Sequence, residues 1–155
     1  VEMFAVTTEE QSEEMLNHLV SIQKEVFADL GLHFKVLNMP SMDLGAPAHN
    51  KIDIEAYMPG RDAYGEVSSA SNCTDYQSRR LGIRMRTVDP QTKQQINVHV
   101  HTLNATCIAI PRAIVALVET YQFETEDGRL GIKIPEVLQP YMHGLTEIVE
   151  KKKEC

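Results

Sequence analysis

Residues 51–58 read KIDIEAYM, and the pattern alternates without a break. Ile52, Ile54, Ala56 and Met58 fall on one side; Asp53, Glu55 and Tyr57 fall on the other. A period of two belongs to a β-strand, whose side chains point to opposite faces in turn. A strand of this kind needs a sheet with one covered face and one wet face, which antiparallel sheets provide. The flanking sequence supplies partners for it. Val1–Val6, Leu32–Leu37 and Tyr64–Ser68 read as strands, and Asn38–Asn50 as a loop punctuated by Pro and Gly. Ile83–Val88 and Gln95–Leu103 flank the turn DPQTKQQ and predict an antiparallel hairpin. Gly128–Pro140 holds one further short strand, Ile132–Ile134, followed by a helical turn at PEVLQPYM.

Helical periodicity appears in two long segments. Leu16, Leu19, Val20, Val26, Phe27 and Leu30 recur at helix spacing, with Thr7 and Thr8 supplying a hydroxyl cap, acids in the first turn and Gly31 as the stop. This predicts a helix over residues 8–30. Ala109–Tyr121, rich in Ile, Val, Ala and Leu, predicts a second helix packed against a sheet. A short helix, Thr74–Leu81, would be capped by Thr74, and the tail EKKKEC reads as frayed. Strands joined through hairpins, with a few helices, give an α+β class: an antiparallel sheet flanked by helices.

The polar stretch GEVSSASNCTDYQSRR, residues 65–80, interrupts this pattern. It has almost no aliphatic residue, so it is expected to contribute little to a core. The chain has 155 residues, enough for one domain or a piece of one. A net charge of −7 argues against binding nucleic acid through bulk charge, while leaving a local patch open. Three cysteines with no C-x-x-C pair fit a reducing compartment. No apolar run is long enough to cross a bilayer. The first residue is Val1, not Met, which leads us to expect a fragment or processed product.

Several residues have chemistry to offer. Asp53, Glu55 and Tyr57 on one strand face, with Glu66, Ser68 and Ser69 near the next turn, could hold a hard cation such as Mg²⁺. By spacing alone the solvated face of the sheet is the better reading, since such alternation is common. His99 and His101, in HVH, share a strand face and could ligate zinc, but no convincing third or fourth ligand follows, and a structural role fits better. Arg112, after Pro111 at the start of the apolar helix, could grip a polyphosphate or be a surface arginine. The common phosphate-binding glycine loops are absent.

Three blocks carry more than periodicity: VEMF, DIEAYMPGRDAYGEVSSASNCTDYQSRR and HTLNATCIAIPRAIVALVETYQ. In this order they resemble the catalytic domain of seryl-tRNA synthetases, a class II aminoacyl-tRNA synthetase family. The likeness runs from Val1 to about Gly144, and residues 145–155 form a charged tail. The stretch LGLHFKVLNMPSMDLGAPAHNK is most similar to animal mitochondrial members, which implies the mitochondrial matrix, with the cytoplasm as the alternative.

The resemblance implies an incomplete class II domain, from the end of motif 2 through motif 3. It implies activation of serine with ATP and Mg²⁺, then transfer to tRNA(Ser), in a protein that is a homodimer at full length and not a membrane protein. Glu2 would bind the amino group of serine. Glu66 would hold Mg²⁺ on ATP with the Ser69 hydroxyl beside it, and Val67 and Ser68 would fill the same ATP-contacting run. Asn104 and Thr106 would line the serine pocket, and Arg112 would grip the ATP phosphates. Arg79 and Arg80 would support structure through ion pairs. Ala105 stands where many members have glycine, and Tyr57 where tryptophan is common. The helical arm, motif 1 and the first strand of motif 2 have no counterpart, so the piece alone is expected to be inactive or nearly so. The alternative is a paralogue without catalysis, serving a binding or regulatory role.

Overall fold

The computed structural model describes residues 1–151. Its centre is a five-stranded, wholly antiparallel sheet in the order β1 (Glu2–Thr7), β7 (His101–Thr106), β4 (Ala63–Asn72), β3 (Asn50–Met58) and β2 (Phe34–Asn38). Two helices, α1 (Ser12–Asp29) and α3 (Ile110–Tyr121), cover one face. The α+β class and the flanked antiparallel sheet therefore stand as expected.

The alternating strand behaves as its pattern dictates on the covered side. Ile54, Ala56 and Met58 are buried, and with Phe27, Leu30, Leu32, Val67 and Ala116 they form one half of the core. Leu16, Leu19 and Val20 of α1 pack on Ala70, Leu103 and Ala105 to form the other half. On the open side the wet-face expectation fails for Asp53. It is only 4% exposed and lies under the Lys51 ammonium at 2.8 Å, so it is a buried, paired charge rather than a solvated one.

The polar stretch corrects a larger expectation. Its first half, residues 65–72, belongs to β4, ten residues long and placed between β3 and β7, not a short strand ending at Ser68. Val67, Ser68, Ala70, Ser71 and Asn72 are all buried. Buried polar groups are tolerated when hydrogen-bonded, and these are held in that way at both ends of the buried run. The Ser68 hydroxyl donates to the Thr106 carbonyl. The Asn72 amide donates to Glu13 of α1 at 3.0 Å, and its oxygen accepts the Thr74 N–H at 2.9 Å. The same Asn72 contact explains why Thr74 is not a helix cap. Thr74 has φ +45°, and the short helix α2 (Tyr76–Leu81) starts after Asp75.

Other boundaries shift for local reasons. Helix α1 begins at Ser12, not Thr8, because the Gln11 side chain accepts from both the N–H and the hydroxyl of Thr8 and holds residues 8–11 as a turn. Gly31, at φ +66°, ends the segment as its sequence position implied. The predicted hairpin is present as β5 (Arg84–Val88) and β6 (Gln95–His99). The expected single strand 95–103 breaks at buried Val100, after which β7 joins the main sheet. A small sheet of β8 (Gln122–Glu124), β9 (Leu130–Lys133) and β10 (Glu147–Val149) follows α3. Part of the supposed charged tail is thus a paired strand. The frayed-tail expectation for residues 152–155, including Cys155, lies outside the described residues. No helix is long and apolar enough to cross a membrane, among the described residues.

Candidate active site

The open face of the main sheet is organised by register. Glu2 of β1, Thr106 of β7, Ser69 of β4 and Asp53 of β3 are successive cross-strand partners. Directly opposed residues project to the same face, so these four make one row. Phe4, Asn104, Ser71 and Lys51 make the next. An open cavity of about 390 Å³ is lined by Phe4, Lys51, Ser71, Cys73, Gln77 and Asn104, with the 45–48 loop as its rim.

On the far side of the first row the pairing changes. Ile54 faces Ser68 but Glu55 faces Glu66, which leaves Val67 as the extra residue of a β-bulge. The β7 strand ends at the Ser69–Thr106 rung, and the chain peels away into α3. The Ala109 N–H meets the Val67 carbonyl at 3.0 Å, which docks the mouth of α3 beside the bulge. Pro111 sits in the first turn, where a missing N–H is harmless. Arg112 follows it, and its Nη1 lies 3.4 Å from Glu66 Oε1.

Both side chains stay partly open, 50% and 37% exposed. An ion pair in that setting contributes little, about 0–1 kcal/mol, so a more highly charged ligand can displace it. The mouth of α3 also adds free N–H groups and the positive end of the helix dipole. The place therefore suits a polyanion.

The candidate residues do not all face this cleft. Glu2, Glu66, Ser69, Asn104, Thr106 and Arg112 are reached from the open side. Val67 and Ser68 carry fully buried side chains. Val67 belongs to the core, and the Ser68 hydroxyl is taken up by the Thr106 carbonyl at 2.5 Å. Any ligand contact from these two would have to come from backbone.

Arg79 pairs with Asp75, whose carboxyl is held below its ordinary range chiefly by that hydrogen bond. Arg80 instead stacks on the Tyr76 ring at 3.5 Å and donates to the Tyr76 carbonyl. The paired imidazoles do not share one strand. His99 ends β6, His101 opens β7, and His101 Nδ1 sits 3.0 Å from the Ser12 hydroxyl. Among the described residues no group of three or more His, Cys, Asp or Glu could hold a metal ion.

Two contributors escaped the sequence reading. Lys51 walls the cavity and is held there by its ion pair with Asp53, which alternation alone reads as surface charge. Gln23 is fully buried behind the site, its amide donating to the carbonyls of Ser69 and Thr106. A signal for it existed: Gln23 occupies the core stripe of α1 with Leu16, Leu19, Val20 and Phe27.

Residues 1–121 match the family described as tRNA synthetase class II core domain (G, H, P, S and T). The mitochondrial serine–tRNA ligase of Bos taurus is 51% identical over 144 residues, which are 92% of this chain and 26% of that protein. The serine–tRNA ligase of Dictyoglomus thermophilum is 50% identical over 97% of this chain and 33% of its own length. The crystal structure of seryl-tRNA synthetase from Pyrococcus horikoshii complexed with ATP superposes with a TM-score of 0.86 at 43% identity, covering 98% of this chain and 32% of that one. The chain spans between a quarter and a third of the length of these relatives. By the match of its first 121 residues, it belongs to the class II tRNA synthetase core domain family.

Proposed function

We propose that residues 1–144 are the C-terminal portion of the catalytic domain of a serine–tRNA ligase, which joins serine to ATP as seryl-adenylate and passes it to tRNA(Ser). The observation that carries this reading is the convergence of Arg112 and Glu66 beside the row Glu2–Thr106–Ser69, further along β4. Phosphate-binding charge and small-molecule hydrogen-bonding groups lie side by side on one open sheet face.

In the first half-reaction an oxygen of the serine carboxylate bonds to the α-phosphorus of ATP, and the bond from that phosphorus to the bridging oxygen breaks, releasing pyrophosphate. No protein nucleophile is required. Two anions must be brought together, so positioning and charge compensation supply the rate. Arg112 offers a planar fork to phosphate oxygens at a helix mouth that already favours anions. Glu2, exposed at the start of β1, can hold the substrate ammonium. Thr106 and Asn104 can pair with the serine hydroxyl. A pocket built to pair with a hydroxyl rejects alanine because its own polar groups would be left unpaired.

Glu66 and the Ser69 hydroxyl would hold Mg²⁺. They are hard oxygen donors, and this ion needs only one or two carboxylates where substrate phosphates and water complete its shell. When bound, it supplies charge neutralisation at the phosphates. The Oδ1 atom of Asp53 is buried without a hydrogen-bond partner among the described residues, one strand over from Ser69, and adds acceptor character to that corner. A homodimeric assembly and the tRNA contacts belong to the same proposal and rest on the resemblance to serine–tRNA ligases. A mitochondrial matrix location is supported by the 51% identity to the bovine mitochondrial protein, beside 50% to a bacterial one.

The test is serine-dependent exchange of pyrophosphate into ATP by a longer chain that carries this sequence at the length of its relatives. Exchange with serine and not with alanine is expected. A folded, full-length chain that binds ATP but shows no serine-dependent exchange would overturn the reading.

A further inference from the structure

Ser69 and Thr106 face each other on the last rung that β4 and β7 share. Beyond it the two strands fork, β4 through its bulge toward Glu66 and β7 toward the mouth of α3. The Thr106 carbonyl accepts the Ser68 hydroxyl, and Gln23, fully buried on α1, holds both carbonyls of the rung: its Nε2 donates to those of Ser69 and Thr106, both at 2.9 Å. One amide nitrogen therefore spans the fork from behind while the two side chains emerge in front.

In the reading above those two residues belong to different subsites of the same half-reaction. Ser69 stands on the nucleotide side, three residues from Glu66, and Thr106 on the amino-acid side, opposite Glu2. Gln23 is also an odd choice for packing alone. Its Oε1 is buried and has no hydrogen-bond partner among the described residues. An unpaired buried carbonyl is destabilising, so the amide is kept despite a penalty that methionine, of similar shape, would avoid.

We infer that Gln23 is a positioning residue, which fixes the spacing of Ser69 and Thr106 and thereby the approach of the serine carboxylate to the α-phosphorus. The inference rests on the serine-activation reading above. It requires that loosening the fork should harm the joint geometry more than either subsite. Misplacement of reacting groups by about 1 Å can lower a rate by around 10²-fold.

The experiment compares wild type, Gln23→Met and Gln23→Glu in the full-length chain by pyrophosphate exchange, with the Kd for ATP alone and the KM for serine measured beside kcat. For Gln23→Met a fall in kcat on the order of 10²-fold is expected, with Kd for ATP and KM for serine each moving less than about threefold. For Gln23→Glu, a carboxylate would face two carbonyls until it takes up a proton and becomes a donor. Its activity relative to wild type should therefore climb as pH falls from about 8.5 to about 6, since burial holds such a carboxyl protonated to higher pH. An unchanged kcat in soluble Gln23→Met overturns the inference, as does a kcat loss matched by equal loss of both affinities. If Gln23→Met does not fold, the Gln23→Glu profile decides: one parallel to wild type overturns the inference. A wild-type chain without serine-dependent exchange would sink the functional reading and this inference together, whereas an active wild type with indifferent variants sinks the inference alone.

Discussion

Arg112 Nη1 and Glu66 Oε1 lie 3.4 Å apart although 46 positions separate them in the chain, the difference between 112 and 66. The two meet only because β7 leaves the sheet one rung before the bulge and drops the mouth of α3 beside it. The contact is half-exposed, so it adds little to stability, and under the proposed function it holds opposite charges ready for a phosphate and a cation. Arg112→Ala in the full-length chain should lower kcat for pyrophosphate exchange by about 10²–10³-fold, the scale seen when one preorganised charge donor is removed. The melting temperature should barely move, because an exposed pair of this kind is worth about 0–1 kcal/mol. Exchange kinetics and a thermal melt on the same preparation check both halves. A large stability loss would recast Arg112 as structural.

Thr106 should act differently. Its side chain stands opposite Glu2, where the proposed serine pocket would lie, while its carbonyl is held by Gln23 and Ser68. Thr106→Val keeps the shape and every backbone bond but removes the hydroxyl. The kcat/KM for serine should fall by about 10-fold, the worth of one hydrogen bond of about 1.4 kcal/mol. Discrimination against alanine should narrow by a similar factor, and the affinity for ATP alone should stay unchanged. Steady-state kinetics with each amino acid decides it. Equal loss against serine and alanine would place the hydroxyl elsewhere.

The sequence was informative where one force decided the outcome. Alternation in residues 51–58 placed Ile54, Ala56 and Met58 in the core, and Gly31 marked the end of α1. It misled where partners came from distant segments. Nothing local shows that Asn72 is satisfied by Glu13, or that Ser68 is satisfied by Thr106, so a polar run looked unfit for a central strand. A bulge also removes the period-two signal, because Val67 and Ser68, adjacent in sequence, are both buried. The candidate site was legible mainly through resemblance. Spacing alone could not tell buried Asp53 from a solvated acid, and Gln23 was visible only as a polar residue on an apolar stripe.

Burial also sorts two cysteines. Cys73, 2% exposed at the back of the open cavity, has its thiol pushed up by desolvation. Alkylation needs both access and thiolate. At neutral pH iodoacetamide should modify Cys107, which is partly open, well before Cys73, as site-resolved mass spectrometry would show. The sign of the stability effect follows from the raised value. The protonated thiol's contribution is fully present below the unfolded-chain pKa and is lost as pH rises through the folded one. Alkaline pH should therefore weaken the fold and expose Cys73 together. Rapid labelling of Cys73 in the native protein at neutral pH would contradict this.

Gly31 and Tyr121 tie the end of α1 to the end of α3. Gly31 holds φ +66° directly under Tyr121, whose hydroxyl donates to the Leu30 carbonyl at 2.8 Å. A Cβ added at Gly31 would collide with that hydroxyl. Gly31→Ala thus meets two penalties: a left-handed backbone, about 1–2 kcal/mol for a residue with a side chain, and displacement of Tyr121 from a bond worth about 1 kcal/mol. Tyr121→Phe alone forfeits only the second. In the double variant the collision is already gone, and only the backbone penalty remains to be added to the lost bond. Denaturant melts of the four proteins should then show that Gly31→Ala destabilises less when Tyr121→Phe is already present, by up to about 1 kcal/mol of coupling, as expected for residues in direct contact. Strict additivity would mean that the two residues do not meet in solution. The site on the opposite sheet face would be untouched by either change, so pyrophosphate exchange below the melting transition should hold its wild-type rate.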